Sequence, residues 1–305
     1  MKAVVCTKYG PPEVLQIREL AKPIPKDNQV LVKIMATAVN SGDARVRSLD
    51  VKGLMKIIMQ LVLGISKPRK PILGTVFSGI VESRGKNVTR FKAGDKVFGM
   101  TGFQFGTYAE YITVNQNSNV LVMPVNATFE AAEAKKFGGQ TAIYFLNKAR
   151  IAERPFPKIL IIGATGSVGT AAIQLAKHYN ADITAVCSSQ GLELVKSLGV
   201  SNIILYDRQT DTGLTGKFDI VFDAVGKSNR KICKNLLNEN GIFKTVSLGY
   251  ASESVAQLQL LKELFEMGSY KAVIDKKFSL DEMVEAHKYV DTGRKKGNVV
   301  IRVSE

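Results

Sequence analysis

The sequence predicts an α/β protein of two domains, a strand-rich first domain followed by a doubly wound parallel sheet. Three observations carry this. The 305 residues exceed what one compact core usually holds. As far as Thr113, β-branched or alternating runs are separated by turn chemistry. From Lys158 onward strands and helices alternate, and the runs 159–162 and 219–223 are nearly continuous in apolar residues, as expected where helices cover both faces of a parallel sheet.

Taken in order, the first strands are 1–6, 14–19, 29–38, 76–83, 96–100 and 108–113, bounded by Gly-Pro-Pro, Lys-Pro-Ile-Pro, Lys-Ala-Gly-Asp and Gly-Thr turns. Segments of that kind close into an antiparallel barrel or sandwich. Between them, 52–63 reads as a helix whose polar side chains Lys52, Lys56 and Gln60 form one narrow stripe. Such a helix lies on a membrane or, more often, is buried, and burial is the expectation. After Pro124 the period changes: 129–137 and 140–149 are helical in composition, with Gly138-Gly139 as a break or a close-packing point. A domain boundary falls near 124–128. Then follow strand 159–162, helix 168–179, strand 183–187, helix 192–198, strands 202–206 and 218–222, helix 229–237, strand 241–247 and helix 256–267. A helix over 280–292 and a strand over 298–303, which returns to the first domain, complete the chain. The expected domains are 1–125 with about 272–305, and 126–271.

Composition excludes several classes. With 45% apolar residues the chain is globular, and no apolar stretch approaches the roughly 20 residues of a spanning helix. No membrane span and no secretory signal are visible, so a cytoplasmic location is expected. Cys6, Cys187 and Cys233 are odd in number and far apart, and only His178 and His287 could join them, so no metal site is expected. Both histidines read as solvated or helix-terminal imidazoles. The net charge of +15 favours polyanions: nucleic acid, acidic membranes or phosphorylated cofactors. Part of the excess is local, with Arg45, Arg47, Lys52, Lys56, Lys67, Arg69 and Lys70 set against Asp50 alone between 44 and 74. The aromatic interleaving of a single-strand platform is missing there, and no obligate nucleic-acid partner is expected.

The strongest local signal is Gly163-Ala164-Thr165-Gly166-Ser167-Val168-Gly169, between an apolar strand and an Ala-rich helix. Gly163 and Ala164 permit the turn, Gly166 lets backbone approach a pyrophosphate, and Gly169 lets the helix pack on the sheet. The first helical N–H groups and the helix dipole then face the phosphates. A carboxylate about 20 residues on would hold the ribose 2'-hydroxyl of NAD, but residues 186–191 contain no acid. Ser188 and Ser189 can donate to a 2'-phosphate, and Tyr206 and Arg208 stand close by in the pattern, so NADPH is the expected cofactor. The same serines would also serve to cap the following helix.

The order of motifs resembles the medium-chain dehydrogenase/reductase superfamily, in its zinc-independent, quinone-oxidoreductase-like branch. The resemblance runs through Ala38-Val39-Asn40-Ser41-Gly42-Asp43, Pro71-Ile72-Leu73-Gly74, Phe77-Ser78-Gly79, Phe91 to Val97, Gly106-Thr107-Tyr108-Ala109-Glu110-Tyr111, Gln140-Thr141-Ala142, the Gly163 loop, Asp223-Ala224-Val225-Gly226 and Gly293 to Val300. The zinc-using branch has a cysteine ligand where this chain has Asn40, a Gly-His-Glu where it has Gly74-Thr75-Val76, and a four-cysteine lobe absent here. The resemblance implies a GroES-like β-barrel catalytic domain plus a Rossmann nucleotide domain, with a cleft where nicotinamide meets substrate. By it, Asn40 and Asp43 reach the cleft, Thr141 lies near the nicotinamide ribose, Ala224 and Val225 belong to the cofactor loops, and Thr245 to Ser247 line the nicotinamide side. Asn40 suits the task of hydrogen-bonding the oxygen on which charge develops. Asp43 is read as holding its loop rather than transferring a proton, the last proton coming from water. Where relatives often place an aromatic, this chain has Arg45, which suits an acidic or polarised substrate or is simple surface charge.

The expectation is an NADPH-dependent, zinc-independent oxidoreductase acting on quinones or α,β-unsaturated carbonyls. An NADPH-binding sensor or polyanion-binding module, and a zinc-free alcohol dehydrogenase, stand as alternatives. Relatives carry an extra strand after Ser247, where this chain has only 248–255 before the next helix; either that loop and helix cover the exposed strand edge and leave a monomer, or the edge pairs in a homodimer with an altered interface, which is the expectation.

Overall fold

The computed structural model describes residues 1–51, 53–134, 136–208, 216–248 and 251–304, without the side chains of 54, 55, 136 and 137. The chain divides into two compact units, 1–136 with 274–305, and 137–273.

In the first unit, β1 (Lys2–Cys6) and β2 (Leu15–Glu19) form an antiparallel ribbon. The long strand β3 (Gln29–Val39) is followed by α1 (Ser41–Ser48) and α2 (Leu54–Leu63), then β4 (Val76–Arg84), β5 (Lys96–Met100), β6 (Tyr111–Asn115), the short unforeseen β7 (Val120–Val122) and α3 (Phe129–Ala134). β3 is central, pairing antiparallel with both β4 and β6. The last expected strand of this run begins three residues late because Tyr108 bonds elsewhere: its N–H donates to Leu73 O at 3.1 Å and its carbonyl accepts from Val4 N at 2.8 Å. α3 packs against β3 and β4, which keeps it in this unit.

The expectation that the helix near Lys52 is buried is wrong for α2. Ile57, Ile58, Leu61 and Val62 are 55%, 44%, 61% and 59% exposed, and among its described side chains only Leu63 is buried. The helix is held at its C-terminal end: Tyr9 Oη donates to Gly64 O at 2.8 Å, and Arg69 N donates to Leu63 O at 2.7 Å.

The second unit holds α4 (Lys136–Lys148), β8 (Lys158–Ile162), α5 (Ser167–His178), β9 (Asp182–Cys187), α6 (Leu192–Ser197), β10 (Asn202–Leu205), β11 (Phe218–Asp223), β12 (Leu237–Thr245) and α7 (Val255–Glu266). Its five strands lie in the order β10-β9-β8-β11-β12, all neighbours parallel. Gly138-Gly139 is a close-packing point, not a break, since a Cβ on Gly138 would stand 2.3 Å from Ser167 O. The helix expected over 229–237 does not form; the segment turns and β12 begins at Leu237. A helix there would set Arg230 and Lys231 against Lys234, like charges four and three residues apart.

The chain then returns to the first unit with β13 (Ile274–Ser279), α8 (Met283–Asp291) and β14 (Asn298–Arg302). β14 pairs antiparallel with β3 and parallel with β13, completing a seven-stranded sheet.

Candidate active site

In the first unit the site is built at the turn from β3 into α1. Asn40 is the N-cap, 4% exposed: its Oδ1 accepts from Asp43 N at 2.9 Å, and Asp43 Oδ2 accepts from Asn40 N at 3.2 Å. This reciprocal capping box locks the amide rotamer. Asn40 Nδ2 donates one hydrogen to Thr75 Oγ1 at 3.0 Å, leaving its second hydrogen for another acceptor. Thr75 occupies the histidine position of the zinc-using pattern.

Asp43 is buried and accepts from Tyr108 Oη at 3.1 Å, while its Oδ1 has no partner among the described residues. Burial pushes its carboxyl up to about 7 against the hydrogen bonds that favour the anion. Burial, then the Asp43 charge, holds Tyr108 well above its ordinary range.

Near them lie two groups whose burial the sequence reading did not foresee. Arg47, included in the basic segment, is 2% exposed and donates to Asp291 Oδ2 at 2.7 Å. His287 is fully buried, with its ring edge-on to Tyr108 at 5.7 Å, and neither nitrogen has a partner among the described residues. Its reading as a solvated imidazole is therefore corrected. Burial, reinforced by the Arg47 charge, drives it down to about 3, so it stays neutral. His178, by contrast, ends α5 at the surface. Arg45 is exposed on α1.

In the second unit, β8 runs into the Gly163 loop. Gly163 adopts φ +78°, and a Cβ on it would stand 2.4 Å from Val225 Cγ1, which brings the loop after β11 against it. A Cβ on Gly169 would meet Gly163 O at 2.2 Å, so the first turn of α5 needs glycine at its third position to pack this closely. Beside Gly166 a Cβ would meet only Gly163 O, at 3.7 Å. That open side, with no side chain capping α5, fits a dinucleotide pyrophosphate at the start of the helix. Thr165 and Gly166 are half-buried, Ala164, Ser167 and Val168 buried, and Thr141 lies half-buried on α4.

Asp223 organises the opposite loop, a role the sequence reading did not assign. Its Oδ1 accepts from Val225 N at 3.1 Å and Gly226 N at 2.9 Å, and its Oδ2 from Ser228 N at 2.8 Å and Thr245 Oγ1 at 3.0 Å. Thr245 Oγ1 also lies 3.0 Å from Ser247 Oγ. Ala224 is buried, donating to Ile162 O at 3.0 Å, and Val225 is 45% exposed.

The corner after β9 holds the main departure. Pairing of β10 with β9 continues into a bond from Tyr206 N to Cys187 O at 3.1 Å, which sets Tyr206 level with Ser188, and both Tyr206 and Arg208 are exposed. It also brings an acid there. Asp207 accepts from Ser189 N at 2.8 Å and Ser189 Oγ at 2.7 Å, and the Ser189 hydroxyl leads the causes that lower its carboxyl. The Ser189 hydroxyl is thus committed within the chain, and the absence of an acid from 186–191 does not mean its absence from the corner. Only the β9–β10 pairing could have revealed it.

The sequence description "Alcohol dehydrogenase GroES-like domain" matches residues 26–125, and "Zinc-binding dehydrogenase" matches 167–285. The chain is 35% identical to a 2-methylene-furan-3-one reductase of Solanum lycopersicum, over 99% of this chain and 79% of that protein. It belongs to the medium-chain dehydrogenase/reductase superfamily, in its quinone-oxidoreductase-like branch. An NADPH-dependent alkenal/one oxidoreductase, chloroplastic, of Arabidopsis thaliana is 31% identical over 99% of the chain and 79% of its own length. Among solved structures, the quinone oxidoreductase from Coxiella burnetii superposes with a TM-score of 0.88 at 27% identity, covering 100% of this chain and 99% of that one. As a medium-chain dehydrogenase/reductase, the chain is an oxidoreductase combining a GroES-like domain with a Rossmann-like parallel sheet. Although one matched description refers to zinc, no group of three or more His, Cys, Asp or Glu stands together among the described residues of this medium-chain reductase. No helix among them is long and apolar enough to cross a membrane.

Proposed function

We propose that this oxidoreductase works without zinc and passes a hydride from NADPH to a quinone or an α,β-unsaturated carbonyl, in the cytoplasm. The observation that carries the reading is the unspent Nδ2 hydrogen of Asn40, on an amide fixed by a capping box at the position where the zinc-using branch has a cysteine. The relatives named as an alkenal/one oxidoreductase and a quinone oxidoreductase support it.

Bound NADPH supplies the hydride from nicotinamide C4. As hydride adds to the acceptor, an electron pair moves onto the carbonyl oxygen, and Asn40 Nδ2–H donates to that oxyanion. Asp43 holds Asn40 through the reciprocal bonds and acts as a positioning residue; water delivers the final proton. The Gly163 loop and the first turn of α5 hold the pyrophosphate, with Ser188, Tyr206 and Arg208 at the adenosine 2'-phosphate. Asp207 limits the preference for NADPH, because its carboxylate repels that phosphate.

The test follows NADPH absorbance against a panel of quinones, enones and aldehydes, with and without chelator. Quinones or enones are expected to turn over equally in both. Asn40→Ser keeps a capping hydroxyl but loses the amide donor, and should lower kcat by about a hundredfold with little change in Tm. Asp207→Asn should tighten NADPH by roughly tenfold while leaving NADH nearly unchanged. Loss of activity on chelation, full activity of Asn40→Ser, or tighter binding of NADH than NADPH by the wild type would each contradict the corresponding part of the proposal.

A further inference from the structure

The apolar side of α2 faces out of its unit. At about 100° per residue, Ile57, Leu61, Ile58 and Val62 fall within an arc of about 140° centred opposite Leu63. Leu63 is 8% exposed, whereas those four are 44% to 61% exposed and the nearby Ile65 is 70% exposed. This inverts the usual amphipathic arrangement, in which the apolar stripe packs inward.

The rim of this face is cationic. Lys67, Arg69 and Lys70 are exposed in the segment that continues from it, and no acidic residue occurs between Asp50 and Glu82. None of these three lysine and arginine side chains forms an ion pair among the described residues. We infer that α2 and the following 65–70 segment dock the protein onto an anionic lipid surface. The acyl region takes the isoleucines, leucine and valine, while headgroup phosphates take the lysines and arginine. A second copy of the chain would bring the same cations together in a protein already carrying +15. Nucleic acid would satisfy the cations but not the aliphatic face, which has no aromatic side chain on which to stack bases. No helix among the described residues is long and apolar enough to cross a membrane; attachment through one short helix and its neighbouring cations is peripheral and reversible. The inference does not rest on the proposed reaction.

The experiment is co-sedimentation of the full chain with vesicles of phosphatidylcholine alone or with about one-third phosphatidylserine. Wild type is expected to partition onto anionic vesicles at least tenfold better than onto neutral ones, and less as salt rises. Ile57→Asp with Leu61→Asp should cut that binding at least tenfold, with circular dichroism and Tm preserved because both side chains are solvent-facing. Lys67→Glu with Arg69→Glu and Lys70→Glu provides a second, purely electrostatic variant with the same expected loss. No binding to anionic vesicles at about 0.1 M salt would overturn the inference. So would binding indifferent to both variants, or light scattering showing that the aspartate pair dissociates a wild-type dimer that does not sediment with vesicles.

Discussion

At the scale of single residues, two buried ionisable side chains of the first unit oppose each other. Asp43 rises from 3.8 to about 7 and His287 falls from 6.5 to about 3. Folding favours neutral Asp43, so its contribution to stability is full below about 4 and is lost as pH rises through about 7. Folding also favours neutral His287, whose contribution is full above about 6.5 and is lost as pH falls towards 3. Between about 4 and 6.5 each changes stability by about 1.4 kcal/mol per pH unit with opposite sign, and the two cancel. Asp43→Asn removes one side of the balance and should lose about 3 kcal/mol relative to wild type on acidification across that window. His287→Phe should do the reverse, gaining relative stability as pH falls. Urea unfolding of the three proteins at both ends of the window checks this, and parallel wild-type and Asp43→Asn curves would mean that folded Asp43 is ionised. The pair was only half legible in the sequence. Asn40 and Asp43 spell a capping box by their spacing, and Arg47 follows one turn on along α1, but Thr75, Tyr108 and His287 reach them through strand pairing and α8 packing, which no local pattern encodes.

At the scale of elements, the Gly163 loop separates glycines that serve packing from one that serves a ligand. Gly166 has φ −72°, a conformation open to any residue, and space beside it, so alanine there should fold normally. The added methyl would stand where the backbone meets the pyrophosphate, and NADPH affinity should fall at least tenfold with Tm changed by no more than about 2 °C. Gly169→Ala places its methyl 2.2 Å from Gly163 O and should cost about 1–3 kcal/mol of stability. Calorimetry and cofactor titration of the two variants test this; equal destabilisation would deny Gly166 its ligand role. Elements of this kind were legible because the constraint is local: strand, glycine spacing and helix are contiguous. The failures were of another sort. The segment 229–237 has helical composition, but Arg230 and Lys231 set against Lys234 oppose a helix. α2 has helical periodicity, but which side faces the unit depends on where Tyr9 and Arg69 anchor its end.

At the scale of the whole molecule, the consequence lies at the edge of the parallel sheet. β12 is its outer strand, as the short 248–255 segment implied, and Gly241 to Lys244 along it are half-buried. An outer strand exposes a row of unpaired backbone groups and invites another strand unless charge or covering prevents it. The stretch 241–245 carries one charge, Lys244. We expect two copies to pair along β12 in a closed twofold dimer. The substitution that tests this must remove an outward donor. Val246 is unsuitable, since its N–H points inward and donates to Asp223 O at 3.1 Å. Strand alternation then turns the N–H of Phe243 outward, so Phe243→Pro removes an edge donor while sparing the inner ladder. Light scattering should find wild type at twice its 33.3 kDa chain mass and Phe243→Pro, still folded by circular dichroism, at one chain. A monomeric wild type, or a dimer indifferent to the proline, would refute edge pairing. Dissociation by the α2 aspartate pair instead would move the dimer contact to the first unit.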